Sequence, residues 1–572
     1  MKEKYIELME RTLSAYTDAH IRDYFERVKS EGLSEHGFPR LTVNIGILIA
    51  HGRRRDLLSL FLEMMEFCCY TIPRVKAAND FSVREVVCCI LELEASDVVA
   101  ASDIARWRGY LAAIEPTSCY DKFATHPTQD IRNWALFSGV SEYFRQMIGL
   151  CDSIEFIDLQ LASQLQFMDE NGMYMDHKGT DVHQPIMYDI VPRGLFSLLL
   201  HFGYRGVHYE EIDAYLRRAG LRMLDMQSVS GEMAFGGRSN QFLHNEAWCA
   251  AVFEFEANRY AKEGDLAMAA RFKAAVIRAI GNMETWLAKE PIYHVKNRFP
   301  TESRYGCEKY AYFDKYMITA ASNLYAAYLM CDDGIKAGSV VDQPPVAWQT
   351  SPHFHKLFLR YGNYFAEYDT NADPHYDAGG LGRIHRRGAP SSICLSVPCP
   401  ANPGYGIGEG TPIPMSLCVG IGDDHGYRYA CEDGVIHEVM SCGSDDSGAY
   451  AEIVCRFDGQ RQVRTRYTVN DGGVSVSACD ETDGLIVHTL PAFCFDGETA
   501  PEILADDRTL EIHYDGYVCR YTVDGAIRDT GRVAYNRNGH YRVFIAEGRG
   551  ELSVHVEILA RSSLRRIACD HG

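Results

Sequence analysis

Up to about residue 340 the apolar positions recur three and four apart. The stretches 54–71, 128–168, 185–203, 244–263, 265–288 and 310–330 show this spacing, which predicts helices. Short breaks separate them at Asn171-Gly172, Gly203-Tyr204-Arg205-Gly206, Gly236-Gly237 and Asp332-Asp333-Gly334. Helical hairpins on short loops imply a bundle, a solenoid or a ring of paired helices. No repeat of fixed period is visible, which disfavours a consensus solenoid.

Beyond about residue 345 the period falls to two. Ile453, Cys455 and Phe457 alternate with polar residues, as do Val463, Thr465, Tyr467 and Val469, then Val474 and Val476. Turn signals punctuate them at Asp458-Gly459, Asn470-Asp471-Gly472-Gly473, Asp515-Gly516, Asp524-Gly525 and Asn538-Gly539. Many short strands with no helical pattern between them predict a large antiparallel β-sandwich. Asp342-Gln343-Pro344-Pro345 reads as the linker, so the expected domains are an all-α unit over 1–341 and an all-β unit over 346–572.

Composition narrows the class. The 572 residues include 78 acidic and 57 basic side chains, a formal net charge of −21, with 47% in the apolar class. Such a chain is neither disordered nor collagenous. Its acidic excess argues against nucleic acid as a partner, because phosphate binding needs a basic surface. A local cluster of arginine and histidine can still attract an anionic sugar. Nineteen cysteines, an odd number without paired CxxC spacing, point to free buried thiols in a reducing compartment. The first residues, Met-Lys-Glu-Lys-Tyr-Ile-Glu, are charged where a signal peptide is apolar, and no run of about 18 apolar residues exists to span a bilayer. The expectation is a cytoplasmic protein with no membrane partner; a homo-oligomer stays open.

Polar and aromatic residues concentrate in four places. In Gly236-Gly237-Arg238-Ser239-Asn240-Gln241-Phe242-Leu243-His244-Asn245-Glu246 the glycines permit a tight turn and a helix is expected from near Asn240. Arg238, Asn240, His244 and Glu246 would then cluster at a helix N-terminus, which favours an anion, with His244 one turn above Asn240. The blander reading is a glycine turn with an Asn cap. In the second place, Glu302 to Tyr316, Tyr305, Glu308 and Tyr312 would share a helix face; Arg304, Tyr305 and Glu308 are candidates, whereas Tyr312 and Tyr316 read better as helix contacts. In the third, His177, Asp181 and His183 match no strong metal signature, so no metal and no cofactor are expected; Tyr188 and Asp189 follow as substrate-lining candidates. In the fourth, Arg383, His385 and Arg387 would load one strand face with cations, which is unfavourable unless carboxylates of the helical half or of a ligand meet them. No Walker loop, GxSxG elbow, HExxH or dinucleotide fingerprint stands in usable context, and Gly404-Tyr405-Gly406-Ile407-Gly408 lacks a following helix.

A long helical half followed by a β-sandwich, with Asn133-Trp134 and the segments Arg238–Glu246 and Arg304–Tyr310, resembles the heparinase II/III-like polysaccharide lyases and related (α/α)-toroid carbohydrate enzymes. The resemblance spans nearly the whole chain. It implies a toroid for residues 1–341 and a site where an Asn, a Tyr and one or two His surround a uronic acid. It also implies a His-rich β segment, which His353-Phe354-His355 and Arg383-Ile384-His385-Arg386 approach most nearly. Trp134, Gln241, Asn245, Arg304, Tyr310, Tyr188, Asp189, His385 and Arg383 become substrate-binding candidates. The catalytic candidates are His244, Tyr305, Asn240, Arg238, Glu246 and Glu308.

The chemistry divides two enzyme readings. β-Elimination removes a weakly acidic C5 proton, so donors must offset the uronate charge; Arg238, Asn240 and His244 suit that, and His244 and Tyr305 suit proton transfer. Inverting hydrolysis, known in toroid enzymes that act on glucuronides, needs two carboxyl groups roughly 6.5–9.5 Å apart; Glu246, Glu308 and Asp189 are the candidates. The richness in Asn, His, Arg and Tyr tilts the reading to elimination, with exo-action on an imported acidic oligosaccharide or glycoside. A silent carbohydrate-binding protein would lack convergent ionisable groups, and a free-sugar isomerase would not need a β wall.

Overall fold

The structure, a computed structural model, describes residues 1–179, 183–423, 426–457 and 461–561. The candidate ligand Asp181 and the turn Asp458-Gly459 lie outside the described residues. The helices end at Met330 and the first strand begins at Val346.

Six helices form an inner ring: Gly37–Ala50, Val83–Ser96, Trp134–Met147, Ile186–His201, Leu243–Lys262 and Phe313–Met330. Each packs on the next, and the last closes back onto the first. Other helices wrap the outside, among them Lys2–Leu13, which covers the closing seam, and Leu266–Leu287, which packs along Leu243–Lys262. The result is an (α/α) toroid. Sequence explains which helix goes where. Gly37–Ala50 reads Gly-Phe-Pro-Arg-Leu-Thr-Val-Asn-Ile-Gly-Ile-Leu-Ile-Ala and is buried on every side from Gly37 to Ile49, as a helix with apolar residues all round must be. Outer helices such as Tyr209–Met226 keep an apolar stripe of Ile212, Leu216, Ala219 and Met223 and turn Glu210 and Glu211 outward.

The expected long helical stretch 128–168 divides in two, Trp134–Met147 and Ile154–Leu165, because Gly149 takes φ +75° between them. Among the described residues no helix is long and apolar enough to cross a membrane.

Among the described residues the β half has three antiparallel sheets. The first orders Val346–Gln349, Lys356–Tyr361, Tyr364–Asp369 and Gly380–Arg386, and it lies between the two cores. Its period of two divides its side chains: Phe358 and Phe365 join the helical core, while Leu357, Leu359, Tyr364 and Ala366 join the sandwich core. Behind it stand an eight-stranded sheet centred on Glu551–Ala560 and Gly473–Cys479, and a five-stranded sheet centred on Leu485–Phe495. The alternation predicted at 463–469 and 474–476 is the buried register of two paired strands, Arg461–Asn470 and Gly473–Cys479.

Charges on the helical face of the small sheet meet carboxylates of both halves. Arg383 lies 3.2 Å from Glu367 and 3.6 Å from Glu232, and Lys356 lies 2.7 Å from Asp369. Lys296 adds a 2.6 Å pair to Glu246. All of these side chains are buried. Removing one partner from such a network strands an ion in low dielectric, a loss of about 3–5 kcal/mol.

Candidate active site

All six inner helices run in the same sense, so their first turns meet at one mouth of the ring and enclose a cavity of about 380 Å3. Arg40 comes from the first, Arg84 from the second, Asn133 and Trp134 from the third, and Tyr188 from the fourth. His244 and Trp248 come from the fifth, and Lys315 and Tyr316 from the sixth. The positive dipole ends of six helices therefore face one space. Gly194 makes room for one wall: a Cβ there would stand 2.3 Å from the Trp248 indole.

Side chains add charge of the same sign. Arg40, Arg84, Arg132, Arg238 and Lys315 line the cavity. Three carboxylates answer them: Glu85 holds both Arg40 (3.1 Å) and Arg84 (2.8 Å), Asp176 holds Arg238 (2.5 Å), and Glu35 lies 3.9 Å from Lys315. An excess of two positive charges remains, inside a chain whose net charge is −21. The lining residues also carry buried polar atoms without hydrogen-bond partners: His36 Nδ1, Arg84 Nη1, Asp176 Oδ1, Arg238 Nε, His244 Nδ1 and Trp248 Nε1. Asn133 makes no capping hydrogen bond from its side chain. Buried polar groups are ordinarily paired, so this concentration makes the cavity the candidate ligand site.

Two loops bring the reactive groups together. In the first, Gly237, Ser239 and Gln241 all have positive φ (71°, 58° and 64°), which keeps 237–242 out of helical conformation. The helix starts at Leu243, not near Asn240, so His244 does not stack one turn above Asn240. Left-handed backbone at Ser239 and Gln241 costs about 1–3 kcal/mol each and needs surrounding bonds to hold it. They are present. Ser239 N–H donates to Glu308 (2.6 Å), Lys296 N–H to Gln241 C=O (3.0 Å), and Asn538 Nδ2 to Gln241 Oε1 (3.3 Å). The Ser239 hydroxyl then lies 2.9 Å from the Tyr310 hydroxyl and 3.5 Å from that of Tyr188.

The second loop, 304–312, is also irregular, because the helix begins only at Phe313. Tyr305 and Glu308 bridge to Gly406 and Tyr405 of the β half instead of sharing a helix face with Tyr312. Tyr305 is outside the cavity: its ring stacks on Phe299 at 3.6 Å and its hydroxyl donates to Gly539 C=O. Glu308 is an anchor. It accepts from Ser239 N–H and pairs at 2.7 Å with Arg537, whose hairpin turn reaches in from the five-stranded sheet.

Of the residues singled out in the sequence, Arg238, His244, Asn133, Trp134, Tyr188 and Tyr310 line the cavity, as does Tyr316, which the sequence pattern assigns to a helix contact. The others lie behind or beside it, for identifiable reasons. Asn240 donates to Ala234 C=O and Asn245 to Ser239 C=O, so both brace the loop, as does Gln241. Glu246 is held by Lys296, and Asp189 is paired with Arg193 and accepts from Tyr174 N–H. Arg304 curls onto the carbonyls of Glu308 and Lys309 at the surface. Arg383 belongs to the boundary network, and His385 Nδ1 meets the hydroxyls of Ser228 and Ser230. Among the described residues no β-half side chain lines the cavity, and no three His, Cys, Asp or Glu gather as metal ligands. Sequence reasoning misses Arg40, Arg84, Arg132 and Lys315. An arginine beginning an otherwise apolar helix, as Arg40 and Arg84 do, is the available signal.

Burial governs the protonation states. It drives His244 down to about 3, with Arg40, His294 and Lys296 adding to the effect, so the imidazole is neutral. It pushes the Tyr310 and Tyr316 hydroxyls well above the ordinary phenol value, so both stay protonated. The cavity thus offers an unprotonated nitrogen base and phenolic proton donors beside a cationic wall.

No protein-family model matches the chain, and no curated protein matches it in sequence. Among solved structures it is similar to a mutant heparan sulfate lyase from Pedobacter heparinus, at 10% identity over 92% of this chain and 76% of that one, with a TM-score of 0.48. It is similar to a chondroitinase AC lyase at 9% identity over 96% and 83% (TM-score 0.41). It is also similar to a beta-L-arabinofuranosidase from Geobacillus stearothermophilus at 12% identity over 97% and 80% (TM-score 0.30). The likeness is one of fold.

Proposed function

We propose that this chain is a carbohydrate-active enzyme of the lyase type that cleaves a uronic-acid-containing oligosaccharide or glycoside by β-elimination. The observation that carries the reading is the cavity itself: six helix N-termini and an excess of cationic side chains around an unpaired histidine and a tyrosine pair. The uronate carboxylate binds against Arg238, Arg132 and Asn133, which offset its charge and stabilise the enolate that forms when C5 loses its proton. His244 takes that proton. Its affinity for a proton is low in the empty cavity, and the negative charge of the bound substrate raises it. The C4–O4 bond then breaks, its electron pair leaves on O4, and Tyr310 supplies the proton, with the double bond formed between C4 and C5. The charge of Arg238 acts on Tyr310 and stabilises the tyrosinate left behind. Ser239 and Tyr188 orient the Tyr310 hydroxyl.

Hydrolysis by inversion requires two carboxyl groups facing the bond. Asp176, whose Oδ2 pairs with Arg238, is the only carboxylate among the described residues that line the cavity, so no second carboxyl group faces it there. Glu246, Glu308 and Asp189 are committed to Lys296, Arg537 and Arg193. The volume, at the low end of the roughly 300–1,000 Å3 usual for small-ligand sites, supports action on a chain end. Buried free thiols support a reducing, cytoplasmic setting and thus an imported substrate. Incubation with an unsulfated uronic-acid oligosaccharide tests the reading. New ultraviolet absorbance from the conjugated double bond is expected; a new reducing end without that absorbance would replace elimination with hydrolysis.

A further inference from the structure

A second cavity, of about 370 Å3, is lined by residues of both halves. The end of the helix Leu266–Leu287 forms one wall, the loop after Arg386 another, and the turn Tyr514–Tyr517 a third. Arg278, Lys289 and Arg387 line it, and Arg360 is buried behind. Among the described residues none of these four cations has an ion-pair partner. Arg278 donates to Gln227 Oε1 and Val340 C=O, and Arg360 donates only to carbonyls, those of Leu224, Gln227 and Pro344. Arg387 donates Nη1 to Asn363, while its Nε and Nη2 are buried and have no partner. Lys289 lies 3.9 Å over the Trp286 ring.

This arrangement is unfavourable as it stands. Burial, and then the charges of Arg360 and Arg387, drive Arg278 down to about 9; burial drives Arg360 down to about 10. Acidic groups are near, with Asp515 in the lining, Asp342 acting on Arg387 and Asp225 acting on Arg360, yet none of them closes an ion pair with the four. Two guanidinium groups and an ammonium group lining one cleft suit an anion with several acceptor oxygens. The Trp286 and Tyr517 rings offer an apolar face to whatever carries it.

We propose that this cleft is a second ligand site, separate from the toroid mouth, which takes a tetrahedral oxyanion: the phosphate or sulfate group of a small polar molecule. The inference does not depend on the lyase reading. Inorganic phosphate, inorganic sulfate, glucose 6-phosphate and glucuronate are titrated calorimetrically into the full chain. Saturable binding of phosphate or sulfate is expected, tighter for glucose 6-phosphate and absent for glucuronate at this site. Which inorganic ion binds identifies the ester class. Arg387→Gln and Lys289→Gln should each weaken that binding at least tenfold, whereas Arg238→Gln, which alters only the toroid mouth, should leave it intact. Arg387→Gln also removes a half-buried charge whose Nε and Nη2 have no partner, so its thermal midpoint without anion should match or exceed the parent's. Lys289 is half-exposed, and its variant decides the matter if Arg387→Gln does not fold. Parent-like binding of phosphate in the Arg387 and Lys289 variants, or loss of it in Arg238→Gln, would overturn the proposal, as would the absence of saturable binding to the parent chain.

Discussion

At the scale of single residues, side chains that face the cavity differ from neighbours that only hold it. His244 and Tyr310 carry the proposed proton transfers. Alanine at His244 and phenylalanine at Tyr310 should each lower kcat by about 10²–10⁴-fold, the usual worth of a positioned acid or base, with little change in melting temperature. Tyr305 has the same phenol but points into packing against Phe299 and Gly539. Tyr305→Phe should leave kcat within a few-fold and cost about 1 kcal/mol of stability, which chemical denaturation measures. A second residue prediction concerns pH. Asp80 is buried next to the cavity wall, neither carboxyl oxygen has a hydrogen-bond partner, and burial drives it up to about 7. A carboxyl whose folded value exceeds its unfolded value stabilises the fold when protonated. That contribution is full below the unfolded value near 4 and fades as pH rises through 7. Asp80→Asn should therefore be close to neutral at pH 4 and gain on the parent at pH 8, by up to about 4 kcal/mol. Melting temperatures compared at the two pH values check the sign.

At the scale of elements, the site is two irregular loops seated on a ring of helix starts. The Glu308–Arg537 pair holds both loops, since Glu308 also accepts from Ser239. Glu308→Gln keeps an acceptor for Ser239 but leaves the Arg537 guanidinium buried without its counter-charge, so a loss of about 3–5 kcal/mol is expected. The double variant Glu308→Gln, Arg537→Met should recover much of it, as equilibrium unfolding would show. This pair also explains what the sequence conceals. Arg537 stands 229 positions from Glu308, so nothing local announces that Glu308 is an anchor rather than an acid. The strands at 461–479 are legible because one face is buried and the period of two survives in the letters. Gly37–Ala50 is not, because a helix buried on all sides has no polar face to set a period.

At the scale of the whole molecule, an acidic chain surrounds a cationic cavity. The division into a helical half and a β half is visible in the change of period near residue 345. The toroid follows only from resemblance, since ring closure joins Gly37–Ala50 to Phe313–Met330 across the length of the half. The site is half legible. Arg238, His244, Trp134, Tyr188 and Tyr310 reach the cavity, whereas the common sense of six helices, which aims Arg40, Arg84 and Lys315 at the same space, exists only in three dimensions. The fold carries function through that alignment: packing of apolar helices sets their direction, and direction sets the sign of the field where they begin. The most direct test is a crystal structure of the Tyr310→Phe variant with an uncleaved uronic-acid oligosaccharide. A uronate is expected at the toroid mouth, its carboxylate on Arg238 and Asn133 and its C5 within reach of His244. Sugar bound elsewhere, or a carboxylate turned away from those side chains, would contradict elimination at this site.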